Sequence, residues 1–139
     1  MIPHQTTKSE IDDLRAVIQR DLADAAIVGL SDDRRFATVY NAALQIGKML
    51  LASSGYRTSG LGHHQTTIEG IEIALGNPGK PYAALFDACR RKRNMVDYDM
   101  SGIVTGTEVA QLIDETNKFV KVAEAWITKN HPSLARSKP

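Results

Sequence analysis

The chain has 139 residues and a formal net charge of +1, which suits one domain and excludes a polyanion-binding surface spread over the whole protein. Its single cysteine, Cys89, excludes an intramolecular disulfide and the two-cysteine zinc motifs. The first residues lack the pattern of a signal peptide, and no apolar run reaches the ~20 residues of a membrane span. We therefore expect a cytoplasmic protein with no membrane partner.

Apolar residues at three- and four-residue spacing predict helices throughout, and no segment alternates as a strand does. Residues 1–8 form a polar arm, and the first helix starts at Ser9 and ends near Gly29. The second helix is capped by Ser31. Its wide apolar stripe indicates a central position, and Gly47 would let a neighbouring helix approach closely.

Three further helices follow an irregular, glycine-rich connection at residues 55–64. The third is short and runs from about residue 66 to 75, and the fourth runs from about residue 81 to 98. Thr105 or Thr107 caps the last one.

The pattern predicts an all-α fold, an antiparallel up-and-down bundle of four long helices and one short helix. The bundle spans residues 9–130, preceded by the arm at residues 1–8. Asn130-His131-Pro132 ends the last helix, and residues 131–139 read as a flexible tail.

Chemistry is concentrated in residues 89–99, CRRKRNMVDYD, which join four cations to an amide and an acid–aromatic–acid triplet. With Cys89 facing the core, Arg93 falls near the buried seam of its helix and Arg91 points away. A cation at such a seam needs a partner. The candidates are Asp97, one turn later, and a carboxylate or phosphate from elsewhere. Arg91 and Lys92 either contact a nucleic-acid backbone or are simply solvated.

The pattern Arg93-Asn94-x-x-x-Tyr98, late in the penultimate helix of a small helical bundle, resembles the HEPN domain family over about residues 9–128. In that family an arginine and a histidine lie in a cleft at a symmetric dimer interface. The resemblance implies a homodimer and a metal-independent endoribonuclease without a cofactor. It also implies a toxin paired with a nucleotidyltransferase-type antitoxin, although other members have lost cleavage activity.

The chain departs from the family at the decisive position, where Tyr98 replaces the histidine. The reference pKa of tyrosine is about 10 and that of histidine about 6.5, so an unperturbed Tyr98 is a poor general base. The resemblance implies that Arg93 binds the phosphate and that Asn94 orients it. It also implies that Tyr98 supplies a hydrogen bond or acid–base chemistry. Supporting acids and RNA-backbone contacts would come from five neighbours: Asp97, Asp99, Arg90, Arg91 and Lys92.

Arg93 and Tyr98 lie about 140° apart on an ideal helix. Their convergence therefore requires a helix end near residue 98 or a second protomer. The alternative interpretation is a non-catalytic HEPN-like module that binds a partner protein or a nucleotide, with Arg93 and Asp97 as a structural ion pair. The missing histidine favours it. A helix-turn-helix regulator is a weaker third hypothesis, since the net charge is near zero.

Two other features have ordinary interpretations. His63 and His64 lie in the glycine-rich connection without further ligands at metal-binding spacing, so we expect exposed loop histidines and no metal. The same loop could instead flank the cleft, because loops on rigid scaffolds often carry ligand contacts. Cys89 at an apolar position is more typical of a core residue than of a nucleophile.

Overall fold

The computed structural model describes residues 1–27, 29–60, 62–97 and 104–137, with only the backbone described for residues 95–97. No helix within these ranges combines the length and apolar character that crossing a membrane requires. The predicted all-α class is confirmed there by five α-helices, with two short 3-10 helices and a two-stranded sheet. The elements are β1 (Ile2–Pro3), α1 (Lys8–Ala25), α2 (Asp32–Ser53), β2 (Tyr56–Arg57), α3 (His63–Leu75), the 3-10 helix Asn77–Gly79, α4 (Lys80–Asp97), α5 (Gly106–Asn130) and the 3-10 helix Pro132–Leu134.

Side-chain caps explain where α1, α2 and α5 begin. The Thr7 hydroxyl accepts a hydrogen bond from the Glu10 amide, so α1 begins slightly before the predicted Ser9. Ser31 caps α2 as predicted. At α5, Thr105 is the cap and forms a reciprocal capping box with Glu108, which decides between the two threonines considered.

The α2 helix is central, as its wide apolar stripe predicted. It packs against each of the other four helices, and thirteen of its residues are buried. Gly47 lies directly against α3: a methyl group there would lie 2.8 Å from Cγ2 of Thr67. Thr67 is fully buried, and its hydroxyl donates to the His63 carbonyl at 2.7 Å. Gly47, together with Gly70 of α3, where a methyl group would lie 2.5 Å from Cδ2 of Leu51, therefore allows α3 to lie close against α2.

The expectation of no strands was wrong at two dipeptides. Strands β1 and β2 pair antiparallel, with Ile2 opposite Arg57 and Pro3 opposite Tyr56. The His4 amide extends this contact by donating to the Gly55 carbonyl at 2.8 Å. Two residues are too few to show the alternation that identifies a strand in a sequence.

The contact between α4 and α5 is aromatic. The ring centroids of Tyr82 and Phe119 are 4.8 Å apart, and those of Phe86 and Phe119 are 5.1 Å apart. Phe86 and Phe119 are almost fully buried. These rings hold α4 across α5, so the basic residues near the end of α4 have a rigid support.

A buried ion pair joins α1 to α5. The Arg15 guanidinium donates to both carboxylate oxygens of Glu124 at 2.8 Å and to Asp12 at 2.7 Å. It also donates to the Leu134 carbonyl at 2.7 Å, which ties the chain after α5 to the helices. The division into arm, bundle and flexible tail stays a prediction.

Gly47→Ala tests the close approach of α2 and α3. We expect the free energy of unfolding to fall by about 1–2 kcal/mol, because overpacking a core costs about 1–3 kcal/mol and alanine's better helix propensity returns part of that. Urea denaturation measures the change. Gly106→Ala is the matched control, since a methyl group there would have its nearest neighbour at 3.7 Å. Equal stability of the two variants would contradict the tight contact.

Candidate functional site

A cavity opens between α4 and the start of α3. Arg90 and Asn94 lie one turn apart on α4 and share the face that points toward it. The cavity has a volume of about 440 Å³. Its lining residues come from α4, from the start of α3 and from the connection before α3: Gly60, Gly62, His63, His64, Gln65, Arg90 and Asn94.

Tyr40 on α2 holds His64 at this cavity. The Tyr40 hydroxyl lies 3.2 Å from Nδ1 of His64. The His63 ring stands edge-on to the His64 ring, with the centroids 4.4 Å apart. Residues of α2, α3 and α4 therefore meet at one point, although they are far apart in the sequence.

The environment favours a neutral His64. Burial lowers the pKa of its imidazole from the usual value of about 6.5, since removal from water disfavours the charged ring. The neighbouring His63 ring and the charges of Lys48, Arg93 and Arg90 lower it further. His64 is therefore uncharged at neutral pH, although it stands among cations.

Tyr40 keeps its proton at all physiological pH values. Burial raises the pKa of its phenol to about 12, because the phenolate would lose its hydration. Arg90 and Arg93 act in the opposite direction, while Cys89 and Asp87 add to the increase. The hydroxyl therefore remains a hydrogen-bond donor, able also to accept.

Arg90 and Arg91 share one carboxylate. The Asp87 side chain accepts from Arg90 Nε at 3.1 Å and from Arg91 at 2.8 Å. The Arg91 side chain is still 73% exposed, which confirms that it points away from the core. One acid thus partly offsets two of the four cations, a pairing that the sequence interpretation missed.

Lys92 joins the end of α4 to the start of α5. Its ammonium group binds the Glu108 carboxylate, which also completes the α5 capping box. The pKa of Glu108 is lowered, first by the hydrogen bond from Lys92. Lys92 is therefore paired with an acid of this chain and not simply solvated, and its contact with RNA stays a prediction.

Arg93 is half-buried, in agreement with its predicted position near the seam, and Asn94 is exposed. The charge of Arg93 acts on both Tyr40 and His64, so it lies close to the cavity. Tyr98 and Asp99 lie outside the described residues, as does the side chain of Asp97. The pairing of Arg93 with Asp97 and the role of Tyr98 stay predictions.

Sequence reasoning missed Tyr40 and gave the wrong place to the histidines. It put His63 and His64 in a loop, whereas they form the first turn of α3 and are half-buried. The glycine-rich stretch before them hid the helix start, because Gly62 caps it without a side chain. The two adjacent histidines beside this glycine-rich stretch were the sequence feature that could have indicated the site. Tyr40 gave no such signal, because a tyrosine in the apolar stripe of a helix is common in protein cores.

A second cavity lies between α4 and α5 and has a volume of about 530 Å³. Most of its lining surface is apolar and Cys89 contributes to it, although five polar or charged side chains also line the cavity: Lys92, Glu108, Gln111, Asp114 and Glu115. Within the described residues, no group of three or more histidine, cysteine or acidic side chains could hold a metal ion. This second cavity is therefore suited to an apolar group.

Cys89 is expected to behave as a core residue. Burial raises the pKa of its thiol to about 11, so only about 0.1% is thiolate at pH 8. We expect iodoacetamide to alkylate the folded protein at least about 100-fold more slowly than the urea-unfolded chain, whose thiol has a pKa of about 8.5. Mass spectrometry measures both rates. Equal rates would show that the thiol is accessible and reactive.

The site thus consists of Arg90, Arg93 and Asn94 from α4, His63 and His64 from α3, and Tyr40 from α2. No protein-family model, curated protein or solved structure matches this chain.

Proposed function

We propose that this protein is a HEPN-like RNA-engaging protein and that the α3–α4 cavity is where it meets the RNA backbone. The supporting observation is that Arg90, Asn94 and two histidines line one open cavity within the electrostatic reach of Arg93. Guanidinium and amide groups are donors suited to phosphate oxygens.

The proposal includes the HEPN-like bundle itself. The contacts Asp21–Asn41 and Ala25–Arg35 run in opposite directions along α1 and α2, as an antiparallel pair requires. The contacts of Phe119 with Phe86 and of Glu108 with Lys92 likewise run in opposite directions along α5 and α4. These pairs support an antiparallel arrangement of the long helices.

The proposed activity is metal-independent endoribonuclease cleavage. The RNA 2′-hydroxyl loses its proton and attacks the adjacent phosphorus. The O2′–P bond forms, the P–O5′ bond breaks and the leaving 5′-oxygen takes up a proton, which gives a 2′,3′-cyclic phosphate and a 5′-hydroxyl. Arg93 stabilises the charge that develops on the phosphate, and Asn94 orients it. Tyr98 supplies a hydrogen bond or acid–base chemistry, with Asp97 and Asp99 in support. Arg90, Arg91 and Lys92 contribute positive charge along the RNA.

The proposal extends to partners and location. A homodimer would bring Arg93 of one protomer toward Tyr98 of the other, which resolves their divergence around a single helix. We place the protein in the cytoplasm, as the toxin of a toxin–antitoxin pair whose antitoxin is a nucleotidyltransferase-type protein.

Cleavage of a mixed RNA pool in EDTA tests this activity. We expect wild type to cut, and Arg93→Ala and Tyr98→Phe each to lose about 100-fold or more in rate, because each removes a group that acts in the transition state. Lys121→Ala, which removes an exposed cation on α5, is the matched control and should cut like wild type. Size-exclusion chromatography checks the oligomeric state. Intact RNA at high excess of wild type would overturn the catalytic proposal.

The second candidate function is a non-catalytic HEPN-like module that binds a partner protein or a nucleotide. Two observations favour it. Arg90 and Arg91 already bind Asp87 of this chain, and Lys92 binds Glu108. The apolar cavity between α4 and α5 also suits a side chain of a partner protein.

Asp87→Asn separates the two functions. If RNA binds here, removing the carboxylate leaves Arg90 and Arg91 available for phosphate, and we expect RNA affinity to rise about threefold at low salt. The gain should shrink as salt screens the charges. Fluorescence anisotropy with labelled single-stranded RNA measures it.

Asp114→Asn is the matched control for Asp87→Asn, since it makes the same charge change at an exposed ion pair with Lys118 on α5. A gain confined to Asp87→Asn supports the RNA site. An equal gain in both variants would reflect net charge alone. Unchanged RNA binding with a lower melting temperature would favour the structural ion pairs of the second function.

A further inference from the structure

His64 has one ring nitrogen within hydrogen-bond distance of Tyr40, and its side chain lines the cavity. Among the described residues, its hydrogen-bond partner is the Tyr40 hydroxyl, at Nδ1. Tyr40 is almost fully buried in α2 and cannot turn away without leaving the core. Because His64 also lines the cavity with Arg90 and Asn94, Nε2 is the nitrogen available to a ligand there.

Among the described residues, the charged side chains that act on His64 are cations from two helices: Lys48 lies on α2, and Arg90 and Arg93 lie on α4. The adjacent His63 ring acts in the same direction. Asp87 is the nearby acid of α4, but it binds Arg90 and Arg91. Burial and these cations therefore disfavour a charged imidazole, and an anion placed in the cavity would offset that penalty.

We infer that this cavity binds a phosphate group and that His64 takes up a proton from solvent when it does, directing Nε2–H at a phosphate oxygen. The inference rests on the proposed function, because it assigns His64 to the RNA-binding site. The ligand class is a phosphate group, either the phosphodiester of RNA or a free phosphate.

Tyr40 is the positioning residue for this proton uptake. When the ring is neutral, the phenol donates to Nδ1 and the ring proton is on Nε2. When Nδ1 gains a proton, the same phenol oxygen accepts from Nδ1–H after the hydroxyl hydrogen turns. Nε2–H thus faces the cavity in both states, and the ring does not need to move.

Because phosphate binding and protonation of His64 are thermodynamically linked, the affinity for phosphate depends on pH. In the free protein the pKa of His64 lies below its usual value, and a bound anion raises it. Affinity for phosphate therefore increases as pH falls through the pKa of the bound state, and it levels off below the pKa of the free state. Each unit of difference between these two pKa values corresponds to a tenfold gain in affinity.

NMR titration of the imidazole nitrogens in the full-length protein tests the inference. The probes are inorganic phosphate and a 2′-O-methyl oligonucleotide, which cannot be cleaved by its own 2′-oxygen. We expect saturation with either probe to raise the pKa of His64 by about one unit, the size expected for one nearby opposite charge. The ¹⁵N shifts should show Nε2 protonated in the neutral ring. Tyr40→Phe should give a mixture of tautomers in a folded protein.

His131→Gln is the matched control, because it removes an imidazole that lies beside Trp126, outside this cavity, and leaves the Tyr40–His64 contact in place. It should keep the ligand-induced shift of His64, and His64→Gln should lose the pH dependence of binding. A saturating oligonucleotide that leaves the pKa of His64 unchanged would overturn the inference and leave the RNA proposal standing. A response to phosphate without RNA binding would keep the inference and remove the RNA proposal. Failure of both probes to bind would overturn both.

Discussion

The close contact between α2 and α3 at Gly47 is the constraint on which the candidate site depends. The missing side chain lets the buried Thr67 reach α2, and Thr67 in turn binds the His63 carbonyl one turn earlier. The contacts Tyr40–His64 and Gly47–Thr67 advance together along both helices, so α2 and α3 run in the same direction. A wider separation would move His64 away from Tyr40 and open the cavity to α4.

Charge neutralisation shapes the basic segment of α4. Asp87 lies one turn before the cations, where spacing along a helix brings it to both Arg90 and Arg91. Lys92 instead reaches Glu108, and this contact spans from the end of one helix to the cap of the next. These pairs have a double consequence. They stabilise the local geometry, and they weaken the positive field that an approaching RNA would meet.

The site places a neutral imidazole among cations and a protonated phenol beside it. Burial accounts for most of both effects, since it disfavours the charged form of either ring. A ligand with negative charge would reverse the balance at His64 and leave Tyr40 protonated. That difference makes His64, within the described part of the site, the residue whose charge is most sensitive to an anion.

The sequence by itself determined the helical class, the central position of α2 and the position of Arg93 near the buried face of α4. Periodicity and capping chemistry act within one element, so Ser31 and the stripe of α2 could be identified without a fold. Only the tertiary structure decided that His64 and Arg90 line one cavity, that Tyr40 lies within hydrogen-bond distance of His64 and that Lys92 binds Glu108. Such contacts depend on how closely helices cross, and Gly47 and Gly70 allow the close approach of α2 and α3 here. The roles of Tyr98, Asp97 and Asp99 remain predictions from the sequence pattern alone.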